Sequence, residues 1–134
     1  MLIDRNNFKQ EVDGKQVDLY TLKNADGFAV QITNYGARVV SVFAKDNAGN
    51  LDDVVLGYSA LDDYINSEQK YMGATIGRYG NRIGGAKFSL NSQVYNVTSN
   101  KGENHLHGGV NGFNAKIWND KEVSETKLQL SYLS

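Results

Sequence analysis

Apolar and polar side chains alternate along much of this 134-residue chain, interrupted by clusters of Gly, Asn and Asp, and this pattern limits its possible folds more than any other feature. Successive side chains of an extended backbone point to opposite faces, so alternation marks strands with one buried side. Phe28, Val30 and Ile32 share one such face, in a run that ends at Asn34-Tyr35-Gly36. The next run, Ala37 to Ala44, is rich in β-branched residues and is bounded by Gly36 and by the turn-forming cluster Asp46-Asn47-Ala48-Gly49-Asn50. This predicts two adjacent strands followed by a loop between 45 and 52. Phe88-Ser89-Leu90 and Val94-Tyr95-Asn96-Val97 flank Asn91-Ser92, where Asn tolerates the left-handed backbone of a tight hairpin. Lys127 to Leu133 alternates again. Only Ser59 to Ile65 reads as helix, with a capping box between Ser59 and Asp62 and with Leu61 and either Tyr64 or Ile65 as apolar anchors. Many short strands joined by Gly-rich and Asn-rich turns predict an all-β fold, an antiparallel β-sandwich. No repeat or linker divides residues 1–134, so they form one domain or part of one.

Composition narrows the function. The 14 basic and 15 acidic residues nearly cancel, no basic run is present, and neither a nucleic acid nor a membrane surface has an electrostatic footprint to meet. No apolar stretch approaches the roughly 18 residues of a membrane helix. The chain has no cysteine, which removes disulfides, thiolate metal sites and a cysteine nucleophile together. With no basic, apolar leader at Met1-Leu2-Ile3-Asp4-Arg5, the expected location is the cytoplasm. The expected partner is a neutral small molecule or another protein.

Three segments concentrate glycine with ligand-recognising side chains. In Gly77-Arg78-Tyr79-Gly80-Asn81-Arg82-Ile83-Gly84-Gly85, Arg82 offers a planar fork of donors and Asn81 both a donor and an acceptor, a combination suited to vicinal sugar hydroxyls. A surface arginine on a turn is the alternative. Asn104-His105-Leu106-His107-Gly108-Gly109 holds both histidines, which an extended backbone would point to one face. Their roles stay open between structural hydrogen bonds, a ligand contact or proton relay, and a metal pair. Against the metal pair, Val110 and Asn111 stand where a further Glu ligand is needed. Gly112-Phe113-Asn114-Ala115-Lys116-Ile117-Trp118 ends at the only tryptophan, either a core residue or a platform for a sugar face.

In this order, Gly77-Arg78-Tyr79-Gly80-Asn81-Arg82-Ile83, Phe88 and Tyr95 on a hairpin, Asn104 to Gly109, then Gly112-Phe113 and Trp118 closely resemble the aldose 1-epimerase, or galactose mutarotase, family. Asn34-Tyr35-Gly36-Ala37 and Val55-Leu56-Gly57-Tyr58 resemble its opening strands, so the likeness runs from about residue 17 to the end. The resemblance implies the N-terminal part of a large antiparallel supersandwich of the galactose mutarotase type, with a sugar cleft on one sheet. It implies interconversion of the α and β anomers of a free aldose such as galactose or glucose, with no metal and no organic cofactor. A carboxylate takes the anomeric proton and a histidine protonates the ring oxygen. Carried over by position, Asn81 and Arg82 match the family's sugar-binding pair and His107 its substrate-contacting histidine near the ring oxygen. His105 is given only a supporting role. The family's principal catalytic histidine and general-base glutamate lie later in a longer chain and match nothing here. Part of a sugar site without its acid–base pair is therefore expected, together with a missing C-terminal half or self-association through an uncovered strand edge. The alternatives are a carbohydrate-binding module that has lost the chemistry, and an inactive fragment.

Overall fold

The computed structural model describes residues 1–134 apart from the side chain of Val123. In chain order its strands are β1 (Gln10–Val12), β2 (Lys15–Val17), β3 (Leu19–Lys23), β4 (Ala29–Thr33), β5 (Arg38–Lys45), β6 (Leu51–Asp53), β7 (Arg82–Ile83), β8 (Lys87–Leu90), β9 (Gln93–Asn96), β10 (His105–Leu106), β11 (Asn119–Ser124) and β12 (Lys127–Ser131). One α-helix, α1 (Leu61–Asn66), follows β6. All the pairings are antiparallel: a four-stranded sheet in the order β3-β4-β5-β6, three hairpins (β1-β2, β8-β9, β11-β12) and the short pair β7-β10. The fold is all-β, as the alternation predicts. No helix among the described residues is long and apolar enough to cross a membrane.

The inward face of β4 is the reverse of the one expected. Ala29, Gln31 and Thr33 are buried, whereas Val30 and Ile32 are half-buried and Phe28 is 43% exposed. The cause is a polar network closed from a distance. Gln31 Oε1 accepts from the Ile3 backbone N–H at 2.8 Å and from the Ser41 hydroxyl at 2.9 Å, while Gln31 Nε2 donates to the Ile3 carbonyl at 2.9 Å and to Thr21 Oγ1 at 3.1 Å. A buried amide with every group partnered carries little penalty, and here it straps the N-terminal segment across the sheet.

Strand β5 keeps its burial through a β-bulge. Gln31 pairs with Ser41 but Ile32 pairs with Val39, so Val40 is the extra residue and both Val40 and Ser41 are buried. Val40 joins Phe8, Val17, Leu19, Leu61, Tyr64 and Ile117 in the core, between the sheet, the first hairpin and α1. The helix forms where predicted and buries Leu61 and Tyr64, but without its capping box. Ala60 occupies the N-cap with no side-chain bond, and the Asp62 carboxylate instead accepts from Gln10 Nε2 at 2.9 Å. The hairpin at Asn91-Ser92 is present, with φ of 50° and 64° at the two turn residues, the left-handed pair that a type I′ turn needs. Trp118 is half-buried and belongs to an aromatic cluster with Phe113 (centroids 5.6 Å) and Tyr132 (5.7 Å).

Candidate functional site

The two motif loops meet at the β7-β10 pair. Arg82 lies opposite Leu106 and Ile83 opposite His105, so each loop presents its polar residues at the same end of a two-rung ladder. Just beyond it, Asn81 and His107 clasp each other: the His107 N–H donates to the Asn81 carbonyl at 3.0 Å, and the Asn81 N–H donates to His107 Nδ1 at 3.0 Å. Both residues have left-handed φ, 64° and 52°, which turns the chain out of the ladder and toward its partner. Because the backbone N–H can only donate, Nδ1 is the acceptor and the neutral imidazole carries its proton on Nε2. Asn81, Arg82 and His107, separated by up to 26 positions, are thus brought together on an accessible surface, with Asn81 and Arg82 exposed and His107 half-buried. Among the described residues the Arg82 guanidinium has no ion-pair partner.

Glycine permits this approach at two positions. Gly108, at φ 90°, leaves no room for a Cβ beside the Gly77 carbonyl, and a Cβ on Gly77 would enter the Phe113 ring. The Phe113 N–H donates to that same Gly77 carbonyl at 3.1 Å, tying together all three motif segments.

The histidines do not share a face, because β10 ends at Leu106 and the turn at His107 breaks the alternation. His105 is buried and its Nδ1 lies 2.8 Å from the Thr98 carbonyl, an acceptor only, so this ring holds its proton on Nδ1, the opposite tautomer to His107. His105 lines a cavity of about 450 Å³ with Tyr79, Ile83, Phe88 and Phe113. A second cavity of about 420 Å³ adjoins Arg82 and shares Tyr79, Ile83 and Phe88. Neither is lined by Asn81 or His107.

Sequence reasoning overlooked Arg38. Reading as one more polar residue in a strand, it is fully buried, and burial lowers its pKa. Its guanidinium donates to the carbonyls of Met72 (2.5 Å), Lys70 (3.1 Å) and Asn114 (3.1 Å) and stacks over Tyr64 at 4.6 Å. It thereby docks the 70–72 segment, whose Tyr71 ring packs against His107. Tyr71 and Asn100 were missed as well, since a lone Tyr and a loop Asn have no spacing that points to the site.

The arrangement offers a fork of donors, an amide and one imidazole N–H at a solvent-accessible edge. The sequence profile described as Aldose 1-epimerase matches residues 18–134. The chain belongs to the aldose 1-epimerase family. It is 41% identical over 113 residues to the aldose 1-epimerase of Haemophilus influenzae, covering 84% of this chain and 32% of that one. It is 38% identical over 100 residues to the galactose mutarotase of Bos taurus, covering 75% and 29%. Among solved structures, an aldose epimerase homologue from C. elegans superposes with a TM-score of 0.80 at 26% identity, covering 87% of this chain and 35% of that chain. A galactose 1-epimerase from Lactobacillus acidophilus gives 0.71 at 28%, covering 84% and 32%. The fold is that of the aldose 1-epimerase family, and the chain spans about a third of the length of the curated relatives it matches.

Proposed function

We propose that this chain supplies the Asn81–Arg82–His107 part of a hexose site for aldose 1-epimerase chemistry, the interconversion of α and β anomers of a free sugar such as galactose or glucose. The observation that carries the proposal is the reciprocal Asn81–His107 clasp, which uses up Nδ1 and leaves Nε2–H as a donor on the loop that follows the Arg82–Leu106 pair. Ring opening needs a proton donor near the ring oxygen, and an imidazole whose tautomer is already set can donate a hydrogen bond there without rearranging. The Arg82 fork and the Asn81 amide suit the hydroxyls of the same ring. The base that takes the anomeric proton has no candidate by position in this chain. Glu103 is near His107 in sequence but is exposed in the turn before β10. The reading places this chemistry in the cytoplasm.

A second reading rests on the same donor set, which holds hydroxyls whether or not a base acts on them: a carbohydrate-binding part that holds the sugar without converting it. Polarimetry of freshly dissolved α-D-galactose, scored against the spontaneous rate in the same buffer, separates the two. Acceleration that is lost in His107→Ala supports catalysis. An unchanged rate, with Arg82 and His107 resonances that move on galactose titration, supports binding alone. An unchanged rate with unmoved resonances overturns both.

A further inference from the structure

A hydrogen bond to Nδ1 fixes the His107 tautomer but leaves the ring free to pivot about the Asn81 N–H. A second set of contacts removes that freedom. Tyr71 packs edge-on against the imidazole, with centroids 4.8 Å apart and planes at 66°, a geometry in which the aromatic quadrupole favours one ring orientation. The Tyr71 hydroxyl accepts from Asn100 Nδ2 at 3.2 Å. The same amide brackets Leu106, accepting its N–H at 2.6 Å and donating to its carbonyl at 2.9 Å, as a paired strand would. Leu106 immediately precedes His107, so one half-buried side chain governs both the backbone that carries the imidazole and the phenol that flanks it. Tyr71 is in turn held from beneath, because Arg38 donates to the carbonyls on either side of it, those of Lys70 and Met72.

We propose that Tyr71 and Asn100 are positioning residues that hold the His107 ring in the orientation in which its Nε2–H meets the sugar. This rests on the reading of His107 as a sugar contact. Its elements come from four places in the chain, residues 38, 70–72, 100 and 106–107, which converge on one imidazole.

Long-range 1H–15N correlation spectroscopy of the labelled chain at about pH 8, where a free imidazole is neutral, tests it with and without galactose. In the wild type, His107 is expected to show a protonated Nε2 and a bare Nδ1. Tyr71→Phe keeps the ring and is expected to keep that signature. Tyr71→Leu and Asn100→Asp are expected to move both ring nitrogens toward the averaged shifts of a free imidazole. The galactose dissociation constant is then expected to rise about fivefold, the equivalent of one hydrogen bond. Circular dichroism reports whether each variant is folded. Should Tyr71→Leu fail to fold, Asn100→Asp decides alone, since it removes two donated bonds while keeping the shape. A wild-type His107 signature in folded Tyr71→Leu and Asn100→Asp overturns the proposal. Galactose that leaves the wild-type resonances unmoved overturns the sugar reading instead, while the tautomer comparison still shows whether Tyr71 and Asn100 hold the ring.

Discussion

Arg38 is a buried cation held by carbonyl dipoles and a tyrosine face. Truncation to Leu removes three donated bonds, strands the carbonyls of Met72 and Asn114 and leaves that of Lys70 with only the long bond from Asn114 Nδ2, so Arg38→Leu is expected to cost about 3 kcal/mol in urea unfolding. Arg38→Lys should recover little of this, because one ammonium cannot span three carbonyls as the planar fork does. Asp18 behaves differently. Burial pushes its carboxyl up, but the hydrogen bond from Arg5 and that from the Leu19 N–H outweigh this and hold it below the usual range. A carboxylate lowered on folding stabilises above its unfolded pKa of about 3.9 and loses that contribution as pH falls through the folded value. With Arg5 half-exposed, Asp18→Asn is expected to cost only about 1–2 kcal/mol at neutral pH, and the gap from wild type should close in acid, as denaturant midpoints across pH will show. At the site, Arg82→Ala should weaken galactose binding by roughly 1.5–3 kcal/mol for each charge-assisted bond lost, measured by titration. An unchanged affinity would remove Arg82 from the site. The Arg82 segment was legible in the sequence because glycine spacing and a donor-rich pair lie together. Arg38 was not legible, because its partners lie 32 to 76 positions away.

At the level of elements, local chemistry was readable and distant chemistry was not. The β8-β9 hairpin followed from Asn91-Ser92 and the runs that flank it. Its second turn residue is a non-glycine at φ 64°, so Ser92→Gly is expected to stabilise the chain by about 0.5 kcal/mol in thermal unfolding, the relief of left-handed strain less the added freedom of the unfolded state. The faces of β4 could not be read in this way. Hydrophobicity favours Phe28, Val30 and Ile32 inward, but Gln31 is drawn in by Ile3, 28 positions upstream, and by Ser41 across the sheet. The missing capping box has the same origin. Asp62 is engaged by Gln10, 52 positions away, and a local motif cannot register that competitor.

For the whole molecule, the sheets are small and leave much apolar surface uncovered. Phe88, Leu90, Val94 and Tyr95 on the β8-β9 hairpin are all more than a third exposed, as is Phe28 beside the half-buried Val30. Patches of this kind, next to free strand edges, favour contact between copies. Sedimentation velocity is expected to show a weight-average coefficient that rises with concentration, and a single monomer boundary over a wide range would count against self-association. Different supports within the molecule also respond differently to the solvent. Added salt screens the partly exposed Arg5–Asp18 pair, but it has little purchase on a buried guanidinium whose partners are carbonyl dipoles and a ring face. The footing under Tyr71 and His107 is therefore buffered against changes in ionic strength that loosen the pairing at the N-terminal end of the chain.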